Sequence, residues 1–247
     1  MPAARADPHG RGHAGASRRS RGRGRGGRQA ASRLIRGPGC HNSWRMQALR
    51  WAVLLLAVVS ALAFLVLAVL AFNQQFFDFD HAAHDLIRSG PYPQLRPLMQ
   101  TLSRIGSGYV LIPLTVVAYV LLKRRGHRAA RYIPAMLVGA FAVLALTKWI
   151  VARPRPKLSP YGFPSAHTFG AFVFFGGAIY VLWTVELRPL WRWVGTAALL
   201  LLMLGVAASR LYLRSHWLSD VLGGVTGGTA YLLIFLLAVD PQLRPSR

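Results

Sequence analysis

Six polar side chains of the types that bind and cleave phosphate esters lie in two short segments of a mainly apolar chain. The first segment runs from Lys148 through Arg155 to His167, and the second from Arg210 through His216 to Asp220. A phosphate monoester is a dianion whose transition state spreads negative charge over three oxygens. Lysine and arginine donors in a site of lowered dielectric can stabilise that charge. These residue types therefore indicate phosphoryl transfer.

The two histidines can divide the work of such a transfer. Asp220 follows His216 by four residues, so on a helical segment its carboxylate can hold the imidazole in the tautomer that exposes a nucleophilic nitrogen. His167 is then available to protonate the leaving oxygen as a general acid. Pro164 and Ser165 stand just before an apolar run, which predicts a helix N-cap with free N–H groups aimed at an anion.

The composition leaves little material for a metal site. The chain has 7 carboxylates and a single cysteine, Cys40, which excludes an intramolecular disulfide and a site of paired cysteines. The segment from Asp78 to Asp85 resembles a metal cluster, and a metal there is the alternative interpretation. We expect instead that His81 and His84 lie along one side of an amphipathic helix on the outer surface. Catalysis is therefore expected to need no metal and no other cofactor.

The remaining composition predicts that membrane-spanning helices position these residues. Of the 247 residues 53% are apolar and 15% are charged, whereas soluble domains carry about 25% charged residues. Six apolar stretches have about the length that crosses a bilayer, namely residues 51–72, 105–122, 132–152, 168–185, 191–208 and 221–239. Overlapping GxxxG patterns from Gly223 to Gly228 predict close packing of the last of them. The predicted fold class is an all-α, polytopic membrane protein with six transmembrane helices.

A strongly basic segment precedes the first span. Residues 1–50 contain twelve arginines and one acid and are rich in Gly and Ser, which predicts a disordered tail. Residues 51–240 are then the membrane domain, and residues 241–247 a short C-terminal tail. The basic segment is expected near anionic lipid headgroups. Residues 21–28 resemble RNA-binding RGG segments, but we do not expect nucleic acid as a partner. Translation from Met46, just before the first span, would omit the preceding 45 residues.

The distribution of basic residues predicts the orientation of the chain. Five basic residues between positions 123 and 131, together with the N-terminal arginines, place both segments in the cytoplasm, and the C-terminus with them. The connections 73–104, 153–167 and 209–220 then lie outside, so the candidate site is extracytoplasmic. The other basic residues of these connections, Arg153, Lys157 and Arg214, are expected to anchor lipid headgroups.

Three blocks of the sequence, taken in order, resemble the type-2 phosphatidic acid phosphatase superfamily. The pattern of that family is K-x6-R-P, then P-S-G-H, then S-R-x5-H-x3-D. The matching residues here are Lys148 with Arg155-Pro156, Pro164-Ser165-Ala166-His167, and Ser209-Arg210 with His216 and Asp220. The resemblance covers about residues 51–240, including the six-helix layout.

The resemblance implies a role for each matching residue. His216 would be the nucleophile that forms a phosphohistidine, Asp220 its orienting partner and His167 the general acid. Phosphate would be bound by Lys148, Arg155, Ser165, Arg210 and the N–H of Ala166. Ala166 departs from the family pattern, which has glycine there, and its methyl is harmless only where the backbone φ is negative.

These observations predict an integral-membrane phosphatase that hydrolyses phosphate or pyrophosphate from an amphiphilic lipid. The resemblance implies undecaprenyl pyrophosphate, phosphatidate and phosphatidylglycerophosphate as candidate substrates. A lipid phosphotransferase using the same site is one alternative, and a non-catalytic scaffold that binds anionic lipid or RNA through the basic tail is another. Vanadate-dependent haloperoxidases share the three motifs, but they are soluble proteins, and six spans argue against that reading. The sequence leaves the oligomeric state open.

Overall fold

The computed structural model describes residues 40–90, 92–156, 160–241 and 243, without the side chains of 40–43 and 45. These residues form helices and no strand. The helices are α1 (Cys40–Phe72), α2 (Asp78–Ser89), α3 (Arg96–Ile105), α4 (Gly108–Arg124), α5 (Ile133–Val151), α6 (Ala166–Thr184), α7 (Pro189–Tyr212) and α8 (Leu218–Val239). Short 3-10 helices, Pro93–Leu95 and Arg128–Tyr132, precede α3 and α5. Most of the predicted tail and Lys157 lie outside the described residues.

Five of these helical segments are long and apolar enough to cross a membrane, and a bent pair can supply a sixth span. The five are α1, α5 with the 3-10 helix before it, α6, α7 and α8. Helices α3 and α4 are bent by 49° at Gly106 and Ser107 and together pass the same test. The all-α, polytopic class is therefore confirmed, and the predicted span at 105–122 corresponds to α4, the second half of the bent pair.

Helices α6, α7 and α8 form the centre of the molecule. Buried apolar residues of α4, α6 and α7 form one core cluster, Leu111, Ala171, Phe172, Phe175, Met203 and Val206. Two glycines bring α8 against the backbone of α6: a Cβ on Gly224 would lie 2.9 Å from the carbonyl oxygen of Ser165, and one on Gly228 would lie 2.8 Å from that of Phe169. This is the close packing that the GxxxG patterns predict, and it joins the first turns of α6 and α8.

Helix α2 covers the end of the bundle at which α6 and α8 begin. The rings of Phe76, His81 and His84 surround the indole of Trp217, with centroid distances of 5.2, 5.5 and 5.6 Å. The two histidines thus pack on an aromatic ring. Nowhere in the described ranges are three or more His, Cys, Asp or Glu residues grouped so that they could hold a metal ion.

Candidate active site

The connection between α5 and α6 is tied back to the end of α5 by a lysine. Nζ of Lys148 donates to the carbonyl oxygens of Tyr161 at 2.6 Å and Pro164 at 2.8 Å. Nη2 of Arg155 reaches the same Tyr161 oxygen at 3.5 Å. Ala152 ends α5 in the left-handed conformation, with φ of 44°, which turns the chain so that the basic residues after it face back toward the bundle.

The first turn of α6 carries the second group of predicted site residues. Ser165 is fully buried, and its N–H donates to the carbonyl oxygen of Asp220 at 3.0 Å. Its hydroxyl makes no capping bond to the helix, so the first N–H groups of α6 keep their donors for another acceptor. Ala166 is the first helical residue and is not among the described residues with positive φ. The methyl that replaces the family glycine is therefore accommodated without strain.

The third group lies where α7 ends and α8 begins. Arg210, in the last turn of α7, is buried and donates to the hydroxyl of Ser103. His216 is 4% exposed, and its Nδ1 lies 3.4 Å from Oδ2 of Asp220. That distance is longer than a typical hydrogen bond, and within the described chain Nδ1 has no other bonding partner. Catalytic contacts of this kind often tighten only when substrate binds.

Electrostatic interactions show that the three groups meet in one place. The charges that act on His167 come from Arg210, His216, Arg155 and Lys148, which belong to three different segments. In the part of the chain that the structure describes, the Nε atoms of four arginines are buried without a hydrogen-bond acceptor, namely Arg153, Arg155, Arg192 and Arg210. Two of the four, Arg155 and Arg210, also belong to the cations that act on His167. Buried donors normally have partners, and an anion bound beside the two histidines would supply the missing acceptor for Arg155 and Arg210. The structure thus brings together all the residues that the sequence predicts.

Burial sets the protonation state of His216. Loss of solvation lowers the pKa of its imidazole below 6.5, and the nearby cations of Arg210 and Arg155 act in the same direction. Asp220 opposes this shift without cancelling it. His216 is therefore neutral near pH 7, which is the form in which an imidazole nitrogen can attack phosphorus.

The prediction that Arg153 anchors a lipid headgroup is wrong, because its side chain is fully buried. Its guanidinium donates to Ser219 Oγ at 2.7 Å, Asp220 Oδ1 at 3.2 Å, the Gln75 carbonyl at 2.7 Å and Asp80 Oδ2 at 3.3 Å. In the sequence Arg153 resembles a headgroup anchor because it follows an apolar run. Its actual partners lie 66 to 78 positions away, so no local pattern reveals them. Arg214, in contrast, is exposed as expected.

Sequence reasoning also missed Gly162. A Cβ at this position would lie 3.0 Å from the carbonyl oxygen of Arg153 and 3.1 Å from Oδ2 of Asp220. Its N–H donates to that Arg153 oxygen at 2.6 Å. The connection therefore passes the candidate catalytic carboxylate at a distance at which a Cβ would crowd both oxygens. One glycine among 24 carries no sequence signal of that contact.

An apolar cavity of about 240 Å³ opens beside His167, between α4, α5 and α6. A second cavity of about 460 Å³ extends toward the other end of the bundle. The two share the lining residues Thr115, Met136 and Phe174. The space next to the polar site is thus apolar and continues along the helices, as a site for the chain of an amphiphile requires.

Comparison with known proteins identifies the family of the chain. Residues 128–244 match the model of the PAP2 superfamily. An undecaprenyl-diphosphatase from Sulfolobus acidocaldarius is 30% identical over 190 residues, covering 70% of this chain and 83% of that protein. The crystal structure of a transmembrane PAP2-type phosphatidylglycerolphosphate phosphatase from Bacillus subtilis shares the fold, with a TM-score of 0.66 and 21% identity over 77% of this chain and 98% of that one. The chain therefore belongs to the PAP2 superfamily and is a membrane lipid phosphatase.

Proposed function

We propose that this chain removes the terminal phosphate of a lipid diphosphate at the outer face of the membrane, through a phosphohistidine on His216. The observation that carries the proposal is the meeting of three basic segments around two histidines, with buried arginine Nε donors left without acceptors. Asp220 faces Nδ1 of His216, so the other ring nitrogen, Nε2, is the one available for attack.

In the first step Nε2 of His216 attacks the terminal phosphorus, and the bond to the leaving oxygen breaks. His167 gives its proton to that oxygen, so the lipid monophosphate departs as a stable product. In the second step His167 takes a proton from water while the water oxygen attacks phosphorus. The phosphorus–nitrogen bond then breaks, and inorganic phosphate leaves.

The cations supply the electrostatic part of the proposed catalysis. Lys148, Arg155 and Arg210, together with the N–H groups of the first turn of α6, would hold the phosphoryl oxygens. Fixed donors of this kind need not reorganise as charge develops in the transition state. A site with three cations near the phosphoryl group can neutralise it without a divalent ion, and we propose that the reaction needs none.

We propose undecaprenyl diphosphate as the first substrate to test. The relative from Sulfolobus acidocaldarius carries the name undecaprenyl-diphosphatase, and this chain aligns with 83% of it. The two neighbouring cavities offer apolar space for a long chain next to His167. The outer location is supported by the basic connection between α4 and α5, which lies at the opposite end of α5 from Lys148 and follows the positive-inside rule if it is cytoplasmic.

The test is phosphate release by the full-length protein in detergent with EDTA, using undecaprenyl diphosphate, phosphatidate and phosphatidylglycerophosphate. We expect turnover that falls by about 10⁴-fold or more in His216→Ala, as when a nucleophile is removed. His84→Ala is the matched control, because His84 packs on Trp217 and is not among the groups whose charges act on His167 or His216, and it should retain activity. A folded wild-type protein that releases no phosphate from any substrate, or that requires a divalent ion, contradicts the proposal.

A rapid-quench experiment distinguishes a mechanism with a covalent intermediate from direct hydrolysis by water. With substrate labelled at the terminal phosphate, label should remain on the wild-type chain after an alkaline quench and disappear after an acidic one. His167→Ala should slow both the appearance and the loss of label, since the first step then lacks its acid and the second its base. Addition of alcohol acceptors distinguishes the phosphotransferase alternative, which requires that turnover depend on the acceptor.

A further inference from the structure

The two oxygens of the Asp220 carboxylate have different partners. Oδ1 accepts from Nη1 of Arg153 at 3.2 Å, and Oδ2 accepts from the N–H of Trp217 at 3.1 Å and faces His216 at 3.4 Å. Rotation of the carboxylate away from His216 would break the contacts to both Arg153 and Trp217. The orientation of Asp220 is therefore fixed from the side opposite to the histidine.

Asp80 holds Arg153 in place from helix α2. Its Oδ1 accepts from the N–H of Ser219 at 2.7 Å, and its Oδ2 accepts from the hydroxyl of Ser219 at 2.7 Å and from Nη2 of Arg153 at 3.3 Å. Asp80, Arg153, Ser219 and Asp220, here called the Arg153 cluster, are each at most 1% exposed. Burial of three charged groups is costly unless each is paired, and here each is paired.

We propose that Arg153 and Asp80 are positioning residues for the reaction, which set the orientation and the charge of the Asp220 carboxylate that faces His216. The hydrogen bonds of Arg153 and Asp80 run to each other, to Ser219 and Asp220, and to the backbone of Gln75 and Phe77, so we place both residues behind Asp220 and not against the phosphoryl group. The proposal rests on the proposed role of His216 as nucleophile.

The net charge of the Arg153 cluster suits the covalent intermediate proposed on His216. Two carboxylates and one guanidinium leave one negative charge, and it faces the imidazole. When Nε2 bonds phosphorus, the ring becomes cationic with its proton on Nδ1, and the remaining negative charge of the cluster balances it. Without Asp80 the cluster would be neutral and would balance the intermediate less well. Without Arg153 it would carry two negative charges beside His216.

The two removals therefore move the pKa of His216 in opposite directions. Asp80→Asn lowers it further, and Arg153→Gln raises it. Because a neutral imidazole is the attacking form, the acidic limb of the kcat/KM profile should move by about 1 pH unit down in Asp80→Asn and up in Arg153→Gln. The other charged or titratable groups that face His216 stay in both variants, namely Asp220 on α8, Arg210 on α7, His167 on α6 and Arg155 in the connection between α5 and α6.

The experiment measures kcat, KM and the pH profile with the full-length protein and the most active lipid substrate. We expect kcat to fall about 10- to 100-fold in each variant, as for partners that orient a reactive group, with KM little changed. The double variant Asp80→Asn/Arg153→Gln restores one negative charge from Asp220 alone. Its acidic limb should return toward that of the wild type, while kcat stays low because the carboxylate is no longer held.

Two surface substitutions serve as controls. Asp85→Asn removes an exposed carboxylate from the same helix as Asp80, and Arg88→Gln removes an exposed arginine from it. Both should leave the profile unchanged. Arg153→Lys keeps the charge but cannot make the four contacts of the guanidinium, so it should keep the wild-type acidic limb with a reduced kcat.

The outcomes separate this inference from the proposed function. Inactive wild-type protein contradicts the proposed function itself. An active wild type that loses activity in His216→Ala, combined with unchanged kcat or parallel pH shifts in Asp80→Asn and Arg153→Gln, overturns the positioning role alone. Failure of these variants and of Arg153→Lys to fold also overturns it, since the cluster would then serve stability only.

Discussion

Buried carboxylates lie near both ends of the packed pair α6 and α8, and the two ends differ in what surrounds those carboxylates. At one end lies the Arg153 cluster with His167 and His216 beside it. At the other end Asp240 accepts a hydrogen bond from Tyr180 Oη at 2.6 Å and lies 3.5 Å from Nη2 of Arg128, here called the Asp240 cluster. Burial of an acid is common to both ends, so it does not by itself identify a catalytic site.

The ends differ in their cations. Around the Arg153 cluster, buried Nε donors of Arg155 and Arg210 have no acceptor among the described residues. The Asp240 cluster combines its acid with a phenol and an arginine. Unpaired donors occur at both ends, since Nε of Arg192 is also buried without an acceptor among the described residues. Those of Arg155 and Arg210 belong to cations that act on His167 and His216, so the first end is the one suited to a reacting anion.

Backbone conformation shows the same contrast. The four described non-glycine residues with positive φ are Gln74, Ala152, Tyr161 and Arg214. Ala152 precedes Arg153, Gln74 precedes Gln75, whose carbonyl accepts from Arg153, and the carbonyl of Tyr161 accepts from Lys148. Arg214 lies two residues before His216. Near the Asp240 end, the residue with positive φ is Gly126, between α4 and α5. Conformations that cost energy for an L-residue are thus concentrated where side chains must be aimed at a reacting group.

The largest expected effect that tests this contrast comes from removing a cation at the candidate site. Lys148→Met should lower kcat/KM about 10²- to 10³-fold, the loss seen when one donor to a transition state is removed. Lys123→Met is the matched control, because Lys123 lies over the ring of Tyr119 at the other end of the bundle, and it should change kcat/KM little. A reduction below about threefold in Lys148→Met would mean that its bonds to the Tyr161 and Pro164 carbonyls are its whole role.

The pH dependence should come from the site end. Because burial lowers the pKa of His216 below 6.5, kcat/KM should stay level as pH falls through 6.5 and then decline about tenfold per pH unit below the lowered pKa. Stability should fall over a wider range, starting near pH 6.5, because the unfolded chain binds the proton more readily than the folded chain. Substrate ionisation is separated by comparing a lipid monophosphate with a diphosphate. An acidic limb that moves with the substrate, or that begins above pH 6.5, contradicts the assignment.

At the Asp240 cluster a substitution should change the stability of the protein and leave its activity nearly unchanged. Asp240→Asn should lower the free energy of unfolding by about 1–3 kcal/mol, since it weakens the bond from Tyr180 and the ion pair with Arg128 in a buried position. Its kcat/KM should remain within about twofold of the wild type. Thermal unfolding in detergent and the phosphate assay measure the two quantities, with the exposed Glu186→Gln as control. A large loss of activity with intact stability would erase the distinction between the two ends.

The sequence predicts most of the candidate site because its residues follow local patterns. Lys148 and Arg155, His167 after Ser165, and His216 before Asp220 each belong to one short block, and long apolar runs identify the helices that carry them. Arg153 and Asp80 follow no such pattern, because their pairing depends on how α2 packs against the first turn of α8. The same holds for the bend between α3 and α4, since a short break in an apolar run does not reveal the angle across it.

The smallest expected effect concerns the strained backbone beside Arg153. Ala152→Gly should raise the free energy of unfolding by about 1 kcal/mol, because glycine adopts φ of 44° without the clash of a Cβ. Ala82→Gly, in the exposed interior of α2, should lower it by about 1 kcal/mol, since glycine is a poor helix former. Opposite signs for the same substitution, measured by thermal unfolding, would show that the conformation of Ala152 is imposed by its surroundings. If both variants are destabilised equally, the left-handed conformation of Ala152 does not lower the free energy of unfolding. The positive φ angles near the candidate site would then not represent backbone strain.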